Sequence, residues 1–215
     1  MTEKSFRPIV VGVTGASGAI YAVRLLEVLL AAGRDVHLSV SASGRDVLMH
    51  ELGLQIDLED FDIETLCLHG RTKSSSDKSD ASMPRGKLSY FRDNDFMAPA
   101  ASGSFLTGGM VICPCSGTTL SAVASGAANN LIQRAAEVHI KERRKLILVP
   151  REAPLSLAHI DNMRRAAEAG AVILPASPGF YHGAKTVDDL VNFVVARICD
   201  QLGVEHDLMK RWGVG

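Results

Sequence analysis

A glycine-rich turn at residues 14–19, Thr-Gly-Ala-Ser-Gly-Ala, is the first part of the chain whose residue types and spacing suggest chemistry. Gly15 and Gly18 would let backbone N–H groups approach an anion, and a helix beginning after them would direct its positive end toward that anion. The spacing matches neither GxxxxGK[ST] nor GxGxxG, so tight packing remains the alternative to ligand binding. We favour a phosphate-bearing ligand.

Hydroxyl side chains recur after two further apolar runs. Ser41 ends the second run, and Ser116, Thr118 and Thr119 follow the third. A hydroxyl in such a position can bind an anion, although it is more commonly the N-cap of a helix. The sequence leaves both interpretations open.

Charged residues supply a second signal. Arg151 and Glu152 stand in a loop between Pro150 and Pro154, and rigid loops at strand ends tend to carry chemistry. Arginine also suits bidentate capture of phosphate. Three further cations lie on predicted helices that we expect to border the rim formed by the loops at these strand ends: Arg134, Lys141 and Arg197. Taken alone, Arg134 and Lys141 fit a solvated helix face better.

The elements that must position these residues follow from periodicity. Short runs rich in Val and Ile alternate with longer segments of helical period, which predicts an α/β fold, a doubly wound parallel sheet of Rossmann-like or flavodoxin-like type in three α/β/α layers. Strands are predicted at 8–13, 36–41, 110–113, 145–149 and 171–174. Helices are predicted at 17–32, 44–52, 118–125, 130–143, 156–169 and 188–202.

Prolines mark the expected ends of three strands. Pro114, Pro150 and Pro175 each follow an apolar run, and proline cannot donate to a strand ladder. In open α/β sheets, ligands bind beyond the carboxyl ends of the strands. We therefore expect the loops that follow these ends to form one pocket.

Composition limits the classes of function. The chain of 215 residues predicts one domain over 1–215, and its net charge of -1 gives neither nucleic acid nor an anionic membrane an electrostatic reason to bind. Its apolar runs are shorter than the roughly 18–20 residues of a spanning helix, and the N-terminus has no apolar signal segment, which predicts a cytoplasmic location.

Cysteine usage fits a reducing compartment. The four cysteines are predicted to be free thiols, and neither Cys113-Pro-Cys115 nor the spacing of the seven histidines matches a metal site, so no metal is expected. Residues 67–87 turn polar without apolar periodicity and predict a mobile surface loop.

Eight motifs in one order resemble the UbiX-type flavin prenyltransferases, formerly described as aromatic-acid decarboxylase subunits. They are TGASGAIY at 14–21, APAASGS at 98–104, MVICPCS at 110–116, LSAVASG at 120–126, NNLIQR at 129–134, KERR at 141–144, LVPREAP at 148–154 and PASPGFYH at 175–182. The resemblance runs from about residue 9 to residue 212 and fails mainly at 71–87.

The resemblance implies a metal-independent transferase. Its substrates would be reduced FMN and dimethylallyl phosphate, and the prenyl unit would be joined to flavin atoms N5 and C6. The product, prenylated FMN, would serve a UbiD-type decarboxylase in ubiquinone biosynthesis or aromatic acid decarboxylation. Such proteins form homo-oligomers, typically dodecamers, with sites between subunits.

The resemblance also implies roles for individual residues. FMN would be held by Gly15, Ala16, Ser17, Ser41, Ser116, Thr119 and Arg134, and the prenyl phosphate by Lys141, Arg151, Glu152, Tyr181 and Arg197. Glu51 and Ser17 match a pair near flavin N5, and Trp212 matches an aromatic facing the prenyl carbon. The catalytic set is therefore Glu51, Glu152, Trp212 and Ser17. The order Ser116-Gly117-Thr118-Thr119 departs from the commoner Ser-Thr-Gly-Thr, which leaves open the hydroxyl that meets the flavin.

These roles agree with elementary chemistry. Fixed cations at Arg151, Arg197 and Lys141 would meet the charge of a departing phosphate, and the face of Trp212 would stabilise an allylic cation. The proton that leaves flavin C6 would go to Glu152 or to the released phosphate, and the sequence leaves both open.

Three alternatives stay in view. A short-chain dehydrogenase would use the 14–18 turn with Tyr181-x-x-x-Lys185, but Gly179 and Gly183 flank that tyrosine. The second predicted strand also ends at Ser41 without a carboxylate for a ribose diol. An FMN-dependent cysteine decarboxylase of the same superfamily would need no prenyl donor. A flavin-storing subunit without turnover would not need the predicted catalytic residues.

Overall fold

Six parallel strands form one sheet at the centre of the molecule, in a computed structural model that describes residues 7–66, 68, 86–209, 211 and 213. The strands are β1 (Ile9–Val13), β2 (Val36–Val40), β3 (Leu88–Tyr90), β4 (Gly109–Cys115), β5 (Leu146–Pro150) and β6 (Val172–Ile173). Their order is β3-β2-β1-β4-β5-β6, with every neighbouring pair parallel. The order reverses direction between β1 and β4, which is where doubly wound sheets open a crevice for ligands.

The described residues contain six α-helices, of which the first five lie between strands and the last follows β6: α1 (Ala19–Ala31), α2 (Ala42–Leu52), α3 (Gly117–Ser125), α4 (Leu131–Lys141), α5 (Leu157–Glu168) and α6 (Val187–Leu202). Short 3₁₀ turns lie at Ile63–Leu66 and Pro99–Ala101. Side chains cap most helix starts, including Ser41, Ser116, Asn130, Ser156 and Thr186.

The two faces of the sheet bury separate cores. On β1, Ile9 and Val11 pack into the core formed with α1 and α6, whereas Val10 packs into the core formed with α3, α4 and α5. Successive side chains of a strand point to opposite faces, so central strands covered on both faces must be apolar throughout. The predicted α/β/α layering is therefore confirmed.

The sequence missed β3. This strand has three residues, all partly buried, and it pairs with β2 at the edge of the sheet. Its half-exposed Leu-Ser-Tyr run is too short to give an apolar signal. The other five strands and six helices lie where they were predicted, with ends displaced by one or two residues.

The prediction that Pro114 ends its strand is wrong, whereas Pro150 is the last residue of β5, as predicted. β4 runs through Pro114 to Cys115, and Cys115 pairs with Pro150 within β5. The register shifts between Ile112 and Cys115, and such an irregularity accommodates a proline because it requires no N–H there. Pro175 does lie beyond the end of β6 at Ile173.

The predicted loop at residues 67–87 lies outside the described residues except for Leu68, Gly86 and Lys87. One domain over residues 1–215 stays a prediction. In the described ranges, no helix is both long and apolar enough to cross a membrane.

Candidate active site

The loops after β1 and β4 are joined at the carboxyl edge of the sheet. The hydroxyl of Thr14 accepts the Ser116 N–H at 2.8 Å, and the Ser116 hydroxyl both donates to Thr119 Oγ1 at 3.0 Å and accepts its N–H at 3.3 Å. The Ser41 oxygen accepts the Gly44 N–H at 3.1 Å. Both serines are thus helix caps, and capping leaves the Ser41 O–H available to donate to a ligand.

A carboxylate from α2 occupies the N-terminus of α1. Glu51 accepts the Gly18 N–H at 2.9 Å and the Ala19 N–H at 2.8 Å through Oε2. Burial works to raise the pKa of Glu51, but hydrogen bonds from Ser17, Gly18 and Ala19 outweigh it and lower the pKa, with help from the charge of Arg151. Glu51 is therefore anionic at neutral pH, and the anion that we predicted at this helix end is supplied by the chain itself.

Close packing explains one glycine of the turn. A Cβ atom at Gly15 would lie 2.4 Å from the Ser43 Cβ of α2. Gly18 has a φ of 109°, a conformation that side chains disfavour. The packing interpretation of Gly15 therefore holds, and it is compatible with a ligand contact through the backbone.

Arg151 and Glu152 follow β5 directly and face this turn. The Arg151 Nε donates to the Ser17 carbonyl at 3.4 Å, which places its positive charge beside Glu51. Glu152 lies 3.9 Å, Oε2 to Nε2, from the ring of His159 in the first turn of α5. A cation, two carboxylates and the strand-end hydroxyls thus meet within one chain.

A groove of about 700 Å³ opens between α3 and α5 beside these residues. Its walls are polar and small, and they include Gly15, Ser116, Gly117, Thr118, Ser121, Ser125, Asn129, Glu152, His159 and Asn162. Ligand sites in α/β proteins have this position and size.

Arg134 and Lys141 belong to a second cluster on α4. Arg134 donates to the Ala101 carbonyl at 3.3 Å and to Glu137 at 3.2 Å, whereas Lys141 contacts Glu142 beside Gly103. Lys141 ends α4 shortly before β5 begins, which places it toward the amino ends of the strands. Our expectation that Lys141 borders the carboxyl rim is therefore wrong within one chain.

Tyr181 and Arg197 form a third cluster beside β6. Phe193 packs edge-on against Tyr181 at 5.6 Å between ring centroids, and Arg197 lies one helical turn further along α6 and pairs with Asp200 at 2.8 Å. A cavity of about 270 Å³ separates Arg197 from the loop after β6. Trp212 lies outside the described residues.

The dehydrogenase alternative does not fit this arrangement. Tyr181 and Lys185 lie in the loop before α6, which begins at Val187, whereas the YxxxK pair requires one helical face. Among the described residues, no group of His, Cys, Asp and Glu side chains is arranged to hold a metal ion.

Three residues that the structure brings into the site were missed from the sequence. Thr14 joins the two central loops, His159 stands beside Glu152, and Asp200 holds Arg197. For His159 a signal existed, because it stands three residues after Ser156 at the start of a predicted helix, where a capping-box side chain belongs.

Comparison with known proteins identifies the family. The Flavoprotein family model matches residues 1–199. A flavin prenyltransferase UbiX of Pseudomonas aeruginosa is 47% identical over 205 residues, covering 95% of this chain and 93% of the relative. The flavin prenyltransferase UbiX of Halalkalibacterium halodurans is 44% identical and covers 94% of this chain and 92% of its own.

Solved structures agree with this result. AnUbiX, crystallised with FMN and dimethylallyl pyrophosphate, has a TM-score of 0.82 and 34% identity, covering 98% of this chain and 99% of its own. A dodecameric FMN-dependent UbiX-like decarboxylase from Escherichia coli has a TM-score of 0.79 and 35% identity, covering 96% and 100%. A cysteine decarboxylase of thioviridamide biosynthesis shares the fold alone, at 13% identity and a TM-score of 0.54 over 92% of this chain and 98% of its own.

Proposed function

Because the chain belongs to the Flavoprotein family, and within it to the UbiX-type flavin prenyltransferases, we propose that it joins a dimethylallyl group from dimethylallyl phosphate to atoms N5 and C6 of reduced FMN. The observation that carries the proposal is the position of Arg151. Its guanidinium donates to the Ser17 carbonyl at 3.4 Å and stands beside Glu51, at the edge where the loops after β1 and β4 meet.

The proposed roles of the site residues follow from their charge. FMN would receive hydroxyl contacts from Ser17, Ser41, Ser116 and Thr119. The turn would contribute the backbone of Gly15 and Ala16, and the cation near FMN would be Arg134. Arg151 meets the negative charge that develops on a departing phosphate, and fixed cations at such a position lower the barrier without a metal ion. Glu152 is in place to hold a proton on the groove side of this loop.

We propose that Glu51 acts as an anion near flavin N5. Its hydrogen bonds to Gly18 and Ala19 hold the carboxylate in one orientation and keep its pKa low, so it favours positive charge nearby rather than donating a proton. Ser17, whose side chain hydrogen-bonds to Glu51, lies on the same side of the turn.

Further chains complete the site in this proposal. Arg134 donates to the Ala101 carbonyl and Lys141 contacts Glu142, while Arg197 pairs with Asp200 on α6. Arg151 instead donates to the Ser17 carbonyl. A homo-oligomer, a dodecamer like the Escherichia coli relative, would bring Lys141 of one chain to the rim of another. Trp212 would face the prenyl carbon there.

The product is proposed to serve a UbiD-type decarboxylase in the cytoplasm. The described cysteines Cys113, Cys115 and Cys199 are free and buried, as expected in a reducing compartment. Prenylated FMN would pass to the decarboxylase after synthesis.

The test is anaerobic incubation with reduced FMN and dimethylallyl phosphate, followed by mass spectrometry of the extracted flavin. We expect the flavin to gain one dimethylallyl unit, and Arg151→Gln to lose most of this product while Arg164→Gln, an exposed arginine of α5, keeps it. A parallel arm with dimethylallyl pyrophosphate decides which donor is used. Unmodified flavin in both arms, with decarboxylation of a peptidyl or pantothenoyl cysteine, would show the cysteine decarboxylase alternative instead.

A further inference from the structure

The ring of His159 is held between a helix cap and a carboxylate. His159 belongs to the capping box of α5, in which its Nδ1 accepts the backbone N–H of Ser156 at 3.2 Å. A nitrogen that accepts a hydrogen bond carries no hydrogen of its own, so the hydrogen of the neutral ring is on Nε2. That nitrogen faces Glu152 Oε2 at 3.9 Å.

Gly117 makes room for this arrangement. A Cβ atom at residue 117 would lie 2.8 Å from His159 Nε2 and 3.9 Å from Glu152 Oε2. The first residue of α3, the ring and the carboxylate therefore converge on one point. A side chain at residue 117 would therefore require the ring of His159 to shift.

The groove around Glu152 and His159 is lined mainly by uncharged groups. Of the groove-lining residues that the structure describes, Glu152 and His159 are the titratable ones. The other lining residues contribute glycine, alanine, hydroxyl and amide groups. Arg151 adjoins Glu152 in the chain and turns toward Ser17. From α5, the Nε2–H of His159 faces the Glu152 carboxylate at 3.9 Å.

We propose that His159 is a positioning residue that holds the carboxylate of Glu152 toward the groove by donating from Nε2. The proposal rests on the function proposed above, in which Glu152 handles a proton. Catalytic hydrogen bonds are commonly longer before the substrate binds, so 3.9 Å is a distance from which a small rotation of either side chain closes the contact.

Two substitutions separate this role from capping. His159→Gln places an amide N–H near the position of Nε2 and keeps a donor for Glu152, whereas His159→Asn places an amide oxygen near Nδ1 and keeps only the acceptor of the cap. We expect His159→Asn to lower kcat by about ten- to a hundredfold, with KM for dimethylallyl phosphate unchanged, and His159→Gln to stay within about threefold of wild type. A purely structural role predicts the reverse order.

Two further variants test the route through Glu152. Gly117→Ala should lower kcat as His159→Asn does, although alanine suits a helix better than glycine. In a Glu152→Gln background, His159→Asn should cause no further loss of kcat, because the effects of two substitutions that act through the same group are not additive. A full additional loss in that background would overturn the proposal.

A measurement without turnover keeps this proposal separate from the proposed function. Nitrogen-15 NMR of the histidine-labelled oligomer should show the His159 hydrogen on Nε2. If wild type makes no prenylated flavin but the hydrogen is on Nε2, the proposed function fails and the placement stands. If the hydrogen is on Nδ1, the placement itself is wrong.

Discussion

The hydroxyl of Thr14 donates to the carbonyl of Pro114 at 2.8 Å and so ties the end of β1 to the end of β4. The same oxygen accepts the Ser116 N–H, and Thr14 is buried. This double contact lies at the point where the strand order reverses, and it fixes the spacing of the two loops that we expect to hold FMN.

Thr14→Val should therefore weaken both the fold and the site. Valine has the shape of threonine but leaves the Ser116 N–H without its partner, and it leaves the Pro114 carbonyl with only the backbone N–H of residue 14 at 3.3 Å. The loss costs about 1–3 kcal/mol of unfolding free energy. We expect FMN to bind about tenfold more weakly because the loops are no longer tied. Urea denaturation and flavin fluorescence titration measure the two effects.

Thr107→Val is the matched control. Thr107 is also buried, and its hydroxyl bonds to His139 Nε2 at 2.8 Å under α4. We expect a similar loss of stability with FMN affinity unchanged. Equal loss of FMN affinity in both variants would mean that general destabilisation, rather than loop spacing, controls binding.

The low pKa of Glu51 predicts how stability responds to acid. The folded pKa lies below the ordinary value of 4.5, so the carboxylate contributes stability above that value and the contribution is lost as pH falls through the folded pKa. Glu51→Gln should destabilise the protein near neutral pH, and the gap to wild type should narrow in acid. Urea midpoints at several pH values measure the gap, with exposed Glu64→Gln as a control that should show little change at any pH.

Buried His139 predicts a second acid dependence. Burial lowers the pKa of His139 although a hydrogen bond to the Ala135 carbonyl opposes this, so below 6.5 the unfolded chain binds a proton that the folded chain does not. Stability should fall with pH below 6.5 by up to about 1.4 kcal/mol per pH unit until the folded pKa is reached. His139→Gln should flatten this slope between about pH 7 and pH 5, and an unchanged slope would assign the dependence to other groups, such as His37.

Asp200 predicts a link between Arg197 and the C-terminal segment. Its carboxylate accepts from Arg197 at 2.8 Å, from Arg211 at 2.9 Å and from the buried His206 ring at 3.2 Å. Burial works to raise the pKa of Asp200, but the contacts with Arg211 and His206 outweigh it and lower the pKa. Asp200→Asn should raise KM for dimethylallyl phosphate by about two- to fivefold, which corresponds to the free energy of one partly exposed ion pair. It should also increase the rate of backbone hydrogen exchange at residues 204–209.

Asp161→Asn provides the comparison for that variant. Asp161 lies 3.8 Å from Arg164 at the same sequence spacing on α5, fully on the surface. It should change neither KM nor exchange at the C-terminal segment. A similar rise in KM in both variants would remove the special role of Asp200.

Sequence periodicity predicted the central sheet because β1, β4 and β5 are continuous apolar runs, a pattern that only a sheet covered on both faces requires. It also predicted that hydroxyl loops would meet at one edge. It could not predict the Glu51 contact, since that depends on how α2 crosses the start of α1. Lys141 was misplaced because two helices, α3 and α4, lie between β4 and β5, and periodicity does not fix the direction of each.

Mixed oligomers should test whether Lys141 and Arg151 come from different chains. Lys141→Ala and Arg151→Ala should each be inactive alone, but co-expression should restore about a quarter of wild-type prenylation, because a site that takes one residue from each of two randomly mixed chains is intact that often. Co-expression of Arg151→Ala with Glu152→Ala is the control. Those residues are adjacent, so every loop carries one of the two changes and no site is repaired. Recovery in the control, or none in the first mixture, would contradict a site shared between chains in this way.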